Sequence, residues 1–472
     1  MKQEPLVIES KEYNSLIKCQ ILPGGFAGTG PNGSFFETPA WVDKTKSPGH
    51  TSQDAVVSTS YRWFDYITGK FLFFSPNLVW LLISLVDYFF FPYDMNAAKS
   101  FDRLDWVLYR FMVNFVIVFG YYGFWHCVLY FFGWSQRPFH PNRSYKVYKV
   151  IHNMWYTLLG VAQYTLWEAI IMHCYATNRI PYMRNDEAFS NGWNTAMFCL
   201  AAFWVPLYRE FHFYFAHRLL HIKAMYKYIH SVHHRNTDVE PFAGLSMHPV
   251  EHLYYYSSVG PSFVVFASPF AFMWNGIHLL IDPAAAHSGW EDHFQSDQYH
   301  YLHHRFFECN YGNGRTPFDK MFGTFRDKLK ETGTTYKGGV EENVDAKTAA
   351  IHDAKASLKG RPDAGFAIYM TINFSIWVLV WFAIRKQHDV HEWNPHYLAF
   401  LTSVGPLIIA QVMANLTDHG KRNMFYPFHK DGWKNLSIHL IISALVCIVP
   451  VYVMVHMLLT KPGESFYFWL RG

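Results

Sequence analysis

The chain has 472 residues, of which 51% are hydrophobic, 19% aromatic and only 16% charged, with a formal net charge of +4. Soluble globular chains carry about 25% charged residues, so this length is not read as three soluble domains of about 150 residues each. The aromatic load excludes a mainly disordered chain, and so small a net charge offers no nucleic-acid face, so no nucleic-acid partner is expected.

Residues 1–65 are polar and are read as an N-terminal cytosolic segment. They hold no short basic start followed by an apolar core, so no cleaved secretory signal is expected. Gly24-Gly25-Phe26-Ala27-Gly28-Thr29-Gly30 has the glycines of a phosphate-cradling loop but no following Lys-Ser/Thr and no clear preceding strand, and reads as a flexible loop. Residues 66–192 hold the N-terminal transmembrane helices: 111–134 carry no charge, while 71–91 include Asp87 and 156–175 include Glu168. About 20 apolar residues span a bilayer core. Residues 192–208 form another uncharged run, opening a candidate catalytic domain at 193–328. Residues 329–363 are charged and rich in Gly and Lys, as suits a cytosolic loop. The C-terminal part, 364–472, adds apolar runs at 364–384, 397–416 and 435–460. The mean hydropathy of −0.03 averages these runs with polar loops. The fold class expected is an all-α integral membrane protein, a multi-span helical bundle.

Basic residues in short loops orient such a bundle. The loop at 133–151 carries Arg137, Arg143, Lys146 and Lys149, and the loop at 417–434 carries Lys421, Arg422, Lys430 and Lys434. Alternation then puts the N-terminus, both of these loops and the chain from Arg209 onward in the cytosol. Residues 253–281 are uncharged and contain Pro261, Pro269 and Gly276. They are too few for two crossings, and one crossing would separate the histidine groups on either side. If those groups form one site, this segment enters and returns as a shallow or tilted helical hairpin.

The six cysteines form no C-x-x-C pair and read as isolated thiols rather than a disulfide framework or zinc finger. The histidines are different: 14 of the 27 lie between His212 and His304. Three clusters stand out, His217/His221, His230/His233/His234 and His300/His303/His304. Residues three and four apart share a helix face, so each cluster is expected to aim its imidazoles at one point. Polar rings near a bilayer are costly and usually functional. Eight histidines exceed one zinc site, which takes about four ligands, and an all-imidazole shell for two redox metals points to iron.

The pattern H-x-x-x-H, H-x-x-H-H, H-x-x-H-H resembles the fatty acid hydroxylase and sterol desaturase superfamily of membrane di-iron oxygenases. Tyr226-Lys227-Tyr228-Ile229-His230, His248-Pro249-Val250-Glu251-His252, His287-Ser288-Gly289, Asn310-Tyr311-Gly312 and Phe318-Asp319-Lys320-Met321-Phe322-Gly323-Thr324 look like its sterol-oxidising branch. The resemblance covers roughly residues 195–328. Between His234 and His300 lie 65 residues, room for one hairpin and not for the two full spans of the acyl-CoA desaturase arm. The resemblance implies eight metal ligands: His217, His221, His230, His233, His234, His300, His303 and His304. His248, His287 and His293 are further candidates as ligands or supports, although Glu291 stands where the family pattern often has another histidine. His212, His252 and His278 are given structural roles, with Glu210, Glu251, Asp292 and Asp297 as possible carboxylate partners of ligand histidines.

The resemblance further implies two ferrous ions, O2 as co-substrate and a lipid substrate taken from the bilayer. Electrons would come from NAD(P)H through a separate donor, a b-type cytochrome or reductase. The site would lie at the cytosolic edge of the endoplasmic reticulum membrane. Open reactions are sterol desaturation or hydroxylation and, weighed equally with these, squalene epoxidation, suggested by the long polar N-terminus, the extra C-terminal spans and Glu291. Fatty-acyl or sphingolipid hydroxylation, a histidine-rich metal transporter and a zinc lipid hydrolase are the alternatives.

Overall fold

The computed structural model describes residues 77–132, 147–237, 239–264, 267–289, 299–307, 309–312, 318–322, 324, 364–386, 394–418 and 432–461. The polar N-terminus with its glycine-rich loop, the 329–363 loop, Glu291, Asp292, His293 and Asp297 lie outside these residues.

Among the described residues every regular element is helical. Helices α1 (Asn77–Phe90), α2 (Asp105–His126, continued by a π-turn at Cys127–Phe131) and α3 (Val147–Ala176) precede α4 (Gly192–Leu220), which runs into the histidine region. Then come short α5 (Lys223–Tyr228) and 3-10 turns at His230–Arg235 and Pro241–Leu245. The hairpin follows: α6 (Pro249–Tyr256), a 3-10 turn at Ser257–Val259, α7 (Pro261–Val264) and α8 (Pro269–Ala286). After α9 (Tyr299–Phe306) and α10 (Phe318–Met321) lie α11 (Ala364–Lys386), α12 (Pro395–Ser403), α13 (Gly405–Asp418), α14 (Gly432–Ser443), a π-turn at Ala444–Ile448 and α15 (Val449–Leu459).

 

The helix starts are locally encoded. Ser268 and Asn394 each accept a hydrogen bond from a backbone N–H of the first turn, and each is followed by a proline at the first helical position. Asn191 caps α4 in the same way, accepting from the Asn194 N–H.

The bundle exposes large apolar side chains and buries a charged network within its largely apolar interior. Phe90, Val116, Trp193, Phe374 and Leu416 are exposed, whereas Asp87, Arg110, Asn114 and Glu168 are buried between α1, α2 and α3. Arg110 pairs with Asp87 and Glu168, each at 2.9 Å, and the Asn114 amide donates to Glu168 at 2.7 Å. A water-exposed helix would show the reverse arrangement, so this is a membrane protein, and Asp87, Arg110 and Glu168 are paired with one another inside the bundle.

Among the described residues two continuous stretches, Asp105–Phe131 and Ser437–Leu459, are long and apolar enough to cross a bilayer. A third would be the pair α12 and α13, bent by 52° at the break between them. The apolar parts of α1 and α11 are shorter than a full span. Helices α3 and α4 are long, at 30 and 29 residues, but part of each carries polar side chains turned inward: Glu168 in α3, and Arg209, Glu210 and His212 in α4.

The hairpin leaves the histidine region at His248 and comes back to it at His287. Its return is close-packed: a Cβ on Gly276 of α8 would lie 1.5 Å from the Tyr164 hydroxyl of α3, so only glycine allows this approach.

Candidate metal centre

Nine buried histidines gather into two groups. His217, His221, His230, His234 and His303 form one, and His233, His287, His300 and His304 the other; within each group the ligating nitrogens all lie within 4.8 Å of one another. All eight histidines of the three sequence clusters are present, with His287 in addition. His248 is in neither group: its Nδ1 accepts from the Val250 N–H at 3.0 Å and caps α6.

The clusters do not each converge on one point, as the helical spacing suggested. His217 and His221 stay together, and so do His230 with His234 and His300 with His304, but His233 and His303 each cross to the other group. Along α9 successive residues are rotated by about 100°, so His300 and His304 share a direction while His303 falls on the other side of His300. His230–Arg235 is a 3-10 turn, in which positions i and i+3 would eclipse, so the parting of His233 from His230 is set by the tertiary fold. In this way the two H-x-x-H-H motifs stitch the groups together.

Four of the nine rings are aimed by what holds their other nitrogen. His217 Nδ1 donates to the Tyr311 carbonyl at 2.6 Å, His303 Nδ1 to the Cys309 carbonyl at 2.6 Å, and His287 Nδ1 to the Pro283 carbonyl at 2.8 Å. His230 Nδ1 lies 2.7 Å from a Glu251 carboxylate oxygen. A carbonyl or carboxylate accepts only, so the proton of each neutral imidazole is assigned to Nδ1 and the lone pair to Nε2. Burial keeps these rings neutral, pushing His230 down to about 3 and His287 to about 4.

The Nε2 atoms then face one another. His217 and His230 approach to 3.0 Å, His303 and His234 to 3.0 Å, and His287 and His304 to 2.9 Å. In the first of these pairs both nitrogens present lone pairs, which repel unless a cation lies between them. The donor set fits a pair of metal ions with imidazole ligands.

Several supporting groups had no role assigned by sequence reasoning, although Asn310 and Asp319 lie in the motifs that carry the resemblance. Asp319 accepts from the Tyr311 and Gly312 N–H groups at 2.9 and 2.8 Å, and from the Tyr299 and Thr324 hydroxyls at 2.8 and 2.6 Å. It thereby fixes the turn that offers the Tyr311 carbonyl to His217. Asn310, at φ 51° in that turn, is one of the few residue types that tolerate the left-handed region. Asn153 donates to Asn236 at 3.0 Å and to Glu240 at 2.8 Å, and the Asn236 amide donates to the His233 carbonyl at 3.3 Å. Of the proposed carboxylate partners, Glu251 touches a group histidine. His212 contacts the Ser257 hydroxyl at 2.9 Å, His252 the Leu245 carbonyl at 3.2 Å and His278 the Asn77 side chain at 2.8 Å.

A cavity opens beside the two groups. Its walls are largely apolar, from Phe213, Ala216, Leu220, Met247 and Ala285, and His217, His230, His233, His287 and His300 reach it. Apolar walls with a few convergent polar groups have the character of a binding site for an apolar ligand.

Residues 202–324 match the family described as fatty acid hydroxylase. This segment is thus similar to the fatty acid hydroxylase and sterol desaturase superfamily. The chain is 26% identical over 256 residues to a Delta(7)-sterol 5(6)-desaturase of Gibberella zeae, covering 51% of this chain and 76% of that one. It is 32% identical to a Delta(7)-sterol-C5(6)-desaturase of Nicotiana tabacum, over 30% of this chain and 54% of the relative. It is 34% identical to a methylsterol monooxygenase 1 of Gallus gallus, over 24% and 41% respectively. The chain thus spans about half or less of the length of the latter two. No solved structure matches.

Proposed function

We propose that the two histidine groups hold two iron ions and that the protein is an O2-dependent membrane oxidoreductase that desaturates or hydroxylates a sterol-pathway lipid. The observation that carries this reading is the set of nine convergent, neutral imidazoles, with the Nε2 lone pairs of His217 and His230 facing each other at 3.0 Å. Zinc lacks redox chemistry and is satisfied by about four ligands, so a zinc hydrolase leaves most of this donor set unexplained. The relatives' names, sterol desaturase and methylsterol monooxygenase, support the sterol pathway. They give no support to squalene epoxidation.

When bound, the metals would supply the oxidation of an unactivated C–H bond with O2 and two electrons. The chain's own residues do the rest. The carbonyls of Tyr311, Cys309 and Pro283, together with Glu251, hold the rings in the ligating tautomer. Phe213, Leu220 and Met247 shed water from the substrate and orient it. The lipid enters from the bilayer. A separate b-type cytochrome or reductase using NAD(P)H delivers electrons at a cytosol-facing site in the endoplasmic reticulum membrane.

Metal analysis and oxygen uptake test the class. About two irons per chain and uptake that needs a reductase are expected; one zinc and oxygen-independent turnover would sink the reading. Lipid profiling tests the substrate in yeast strains lacking single sterol oxidases, beside one lacking squalene epoxidase. Rescue confined to the last strain would overturn the sterol reading. Tags near residues 240 and 310 should both be reached from the cytosol, and opposite accessibility would refute the orientation.

A further inference from the structure

Part of the cavity wall is polar. Arg209 and Asp282 line it, one from α4 and one from α8, and form an ion pair with each other. Both are almost fully buried. Arg209 also donates to the Tyr255 hydroxyl at 3.1 Å, and that hydroxyl donates onward to the Leu279 carbonyl at 2.9 Å. The Arg209 Nε–H, buried as well, has no partner. A buried guanidinium N–H without an acceptor is costly, and here it belongs to a side chain on the wall of a cavity.

The stripe from this part of the wall to the histidines lies along one face of α4. Arg209, Phe213, Ala216, His217 and Leu220 all line the cavity, and His217 stands about 12 Å farther along the helix axis than Arg209. The Phe213 ring lies between: the Arg209 guanidinium carbon is 5.2 Å from its centre and the His300 ring 5.9 Å. The guanidinium is therefore no more than about 11 Å from the His300 ring. A ligand filling this space has one polar end, an apolar body and a reacting carbon at the histidines.

The charge balance selects the polar group. Arg209 is already neutralised by Asp282, and Glu251 is a second carboxylate on the cavity wall. A lipid carboxylate or phosphate placed beside Arg209 would also face the Asp282 carboxylate, and like charges at such range repel. A neutral hydroxyl satisfies both partners, because it accepts from the guanidinium and donates to the carboxylate.

We propose that Arg209, Asp282 and Tyr255 form a hydroxyl anchor that receives the alcohol of the lipid and sets which carbon meets the histidines. The anchor rests on the reading of the site as one that oxidises a sterol-pathway lipid, and gives that substrate a chemical requirement: one neutral hydroxyl on a compact apolar body.

Binding without turnover tests it. The full-length iron-loaded protein, in nanodiscs under argon, is titrated with cholestanol, with cholestane, which lacks the hydroxyl, and with cholesteryl sulfate. Cholestanol should bind about tenfold or more tighter than cholestane, and the sulfate should bind no better than cholestane. In the double variant Arg209→Met/Asp282→Leu, which removes both charges, the advantage of cholestanol should vanish while cholestane binding persists. Should that variant not fold, the wild-type comparison decides alone. Equal affinity for cholestanol and cholestane, or tighter binding of the sulfate, overturns the anchor and leaves the sterol reading standing. Binding of none of the three overturns both.

Discussion

Replacing Asp319 with alanine tests whether the metal centre depends on the turn behind it. The carboxylate is buried and accepts four hydrogen bonds, two from the Tyr311 and Gly312 backbone and two from the Tyr299 and Thr324 hydroxyls. Hydrogen bonds to a charged group contribute about 1.5–3 kcal/mol each. They do not simply add, because the two hydroxyls turn to new partners while the two backbone N–H groups are held by the chain. The loss for Asp319→Ala is then about 3–5 kcal/mol. Asp319→Asn keeps the volume and one acceptor oxygen and should lose about half as much. The turn also carries the Tyr311 carbonyl that bonds His217, so metal retention should fall with stability. Thermal unfolding of the purified protein and metal analysis of the same sample read both effects. An Asp319→Ala protein with unchanged Tm and full metal content would refute the reasoning.

Four further outcomes are expected. His287→Ala removes one of four ligands from one group and none from the other, so metal analysis should show selective loss of one ion, whereas equal loss of both would contradict the division into two groups. Arg110→Met strands the buried Asp87 and Glu168 carboxylates; it should destabilise by about 3–5 kcal/mol, and an unchanged Tm would argue against the buried charged network of the bundle. Gly244→Ala would place a Cβ 2.6 Å from the Pro283 carbonyl oxygen that holds His287. Metal titration should show about tenfold weaker binding, and wild-type affinity would mean that this carbonyl does not aim the ring. Burial pushes His248 from its ordinary 6.5 down to about 3. The unfolded chain therefore binds the extra proton first, and stability should fall as pH drops from about 6.5 towards 3. His248→Asn keeps a cap for α6 and should flatten that slope in a pH series of thermal melts; an unaltered slope would assign the effect elsewhere.

Much of the plan was legible in the residues. The uncharged runs around 111–134 and 435–460 are long enough to read as spans without knowing their neighbours. The eight histidines of the three clusters stand out by spacing, and all eight fall within the two groups. Local periodicity carries these features, because rise and rotation per residue depend on the backbone alone. The buried charged network was harder to read. Asp87 and Glu168 looked like weaknesses in their spans, yet Arg110 lies between them, a pairing between residues far apart in the chain.

Tertiary structure decided what the spacing left open. It divided each H-x-x-H-H motif between two groups, brought His287 back beside His233 at 3.2 Å, and turned His248 into a helix cap. It also supplied the carbonyls of Tyr311, Cys309 and Pro283, which no side-chain pattern encodes because every residue has one. The sequence by itself determined that a membrane-bound helical chain carries many imidazoles at helical intervals. Only the return of the hairpin made them one centre and paired Arg209 with Asp282 on the wall of a cavity, because the meeting of distant segments depends on how helices pack and not on the order of residues within any one of them.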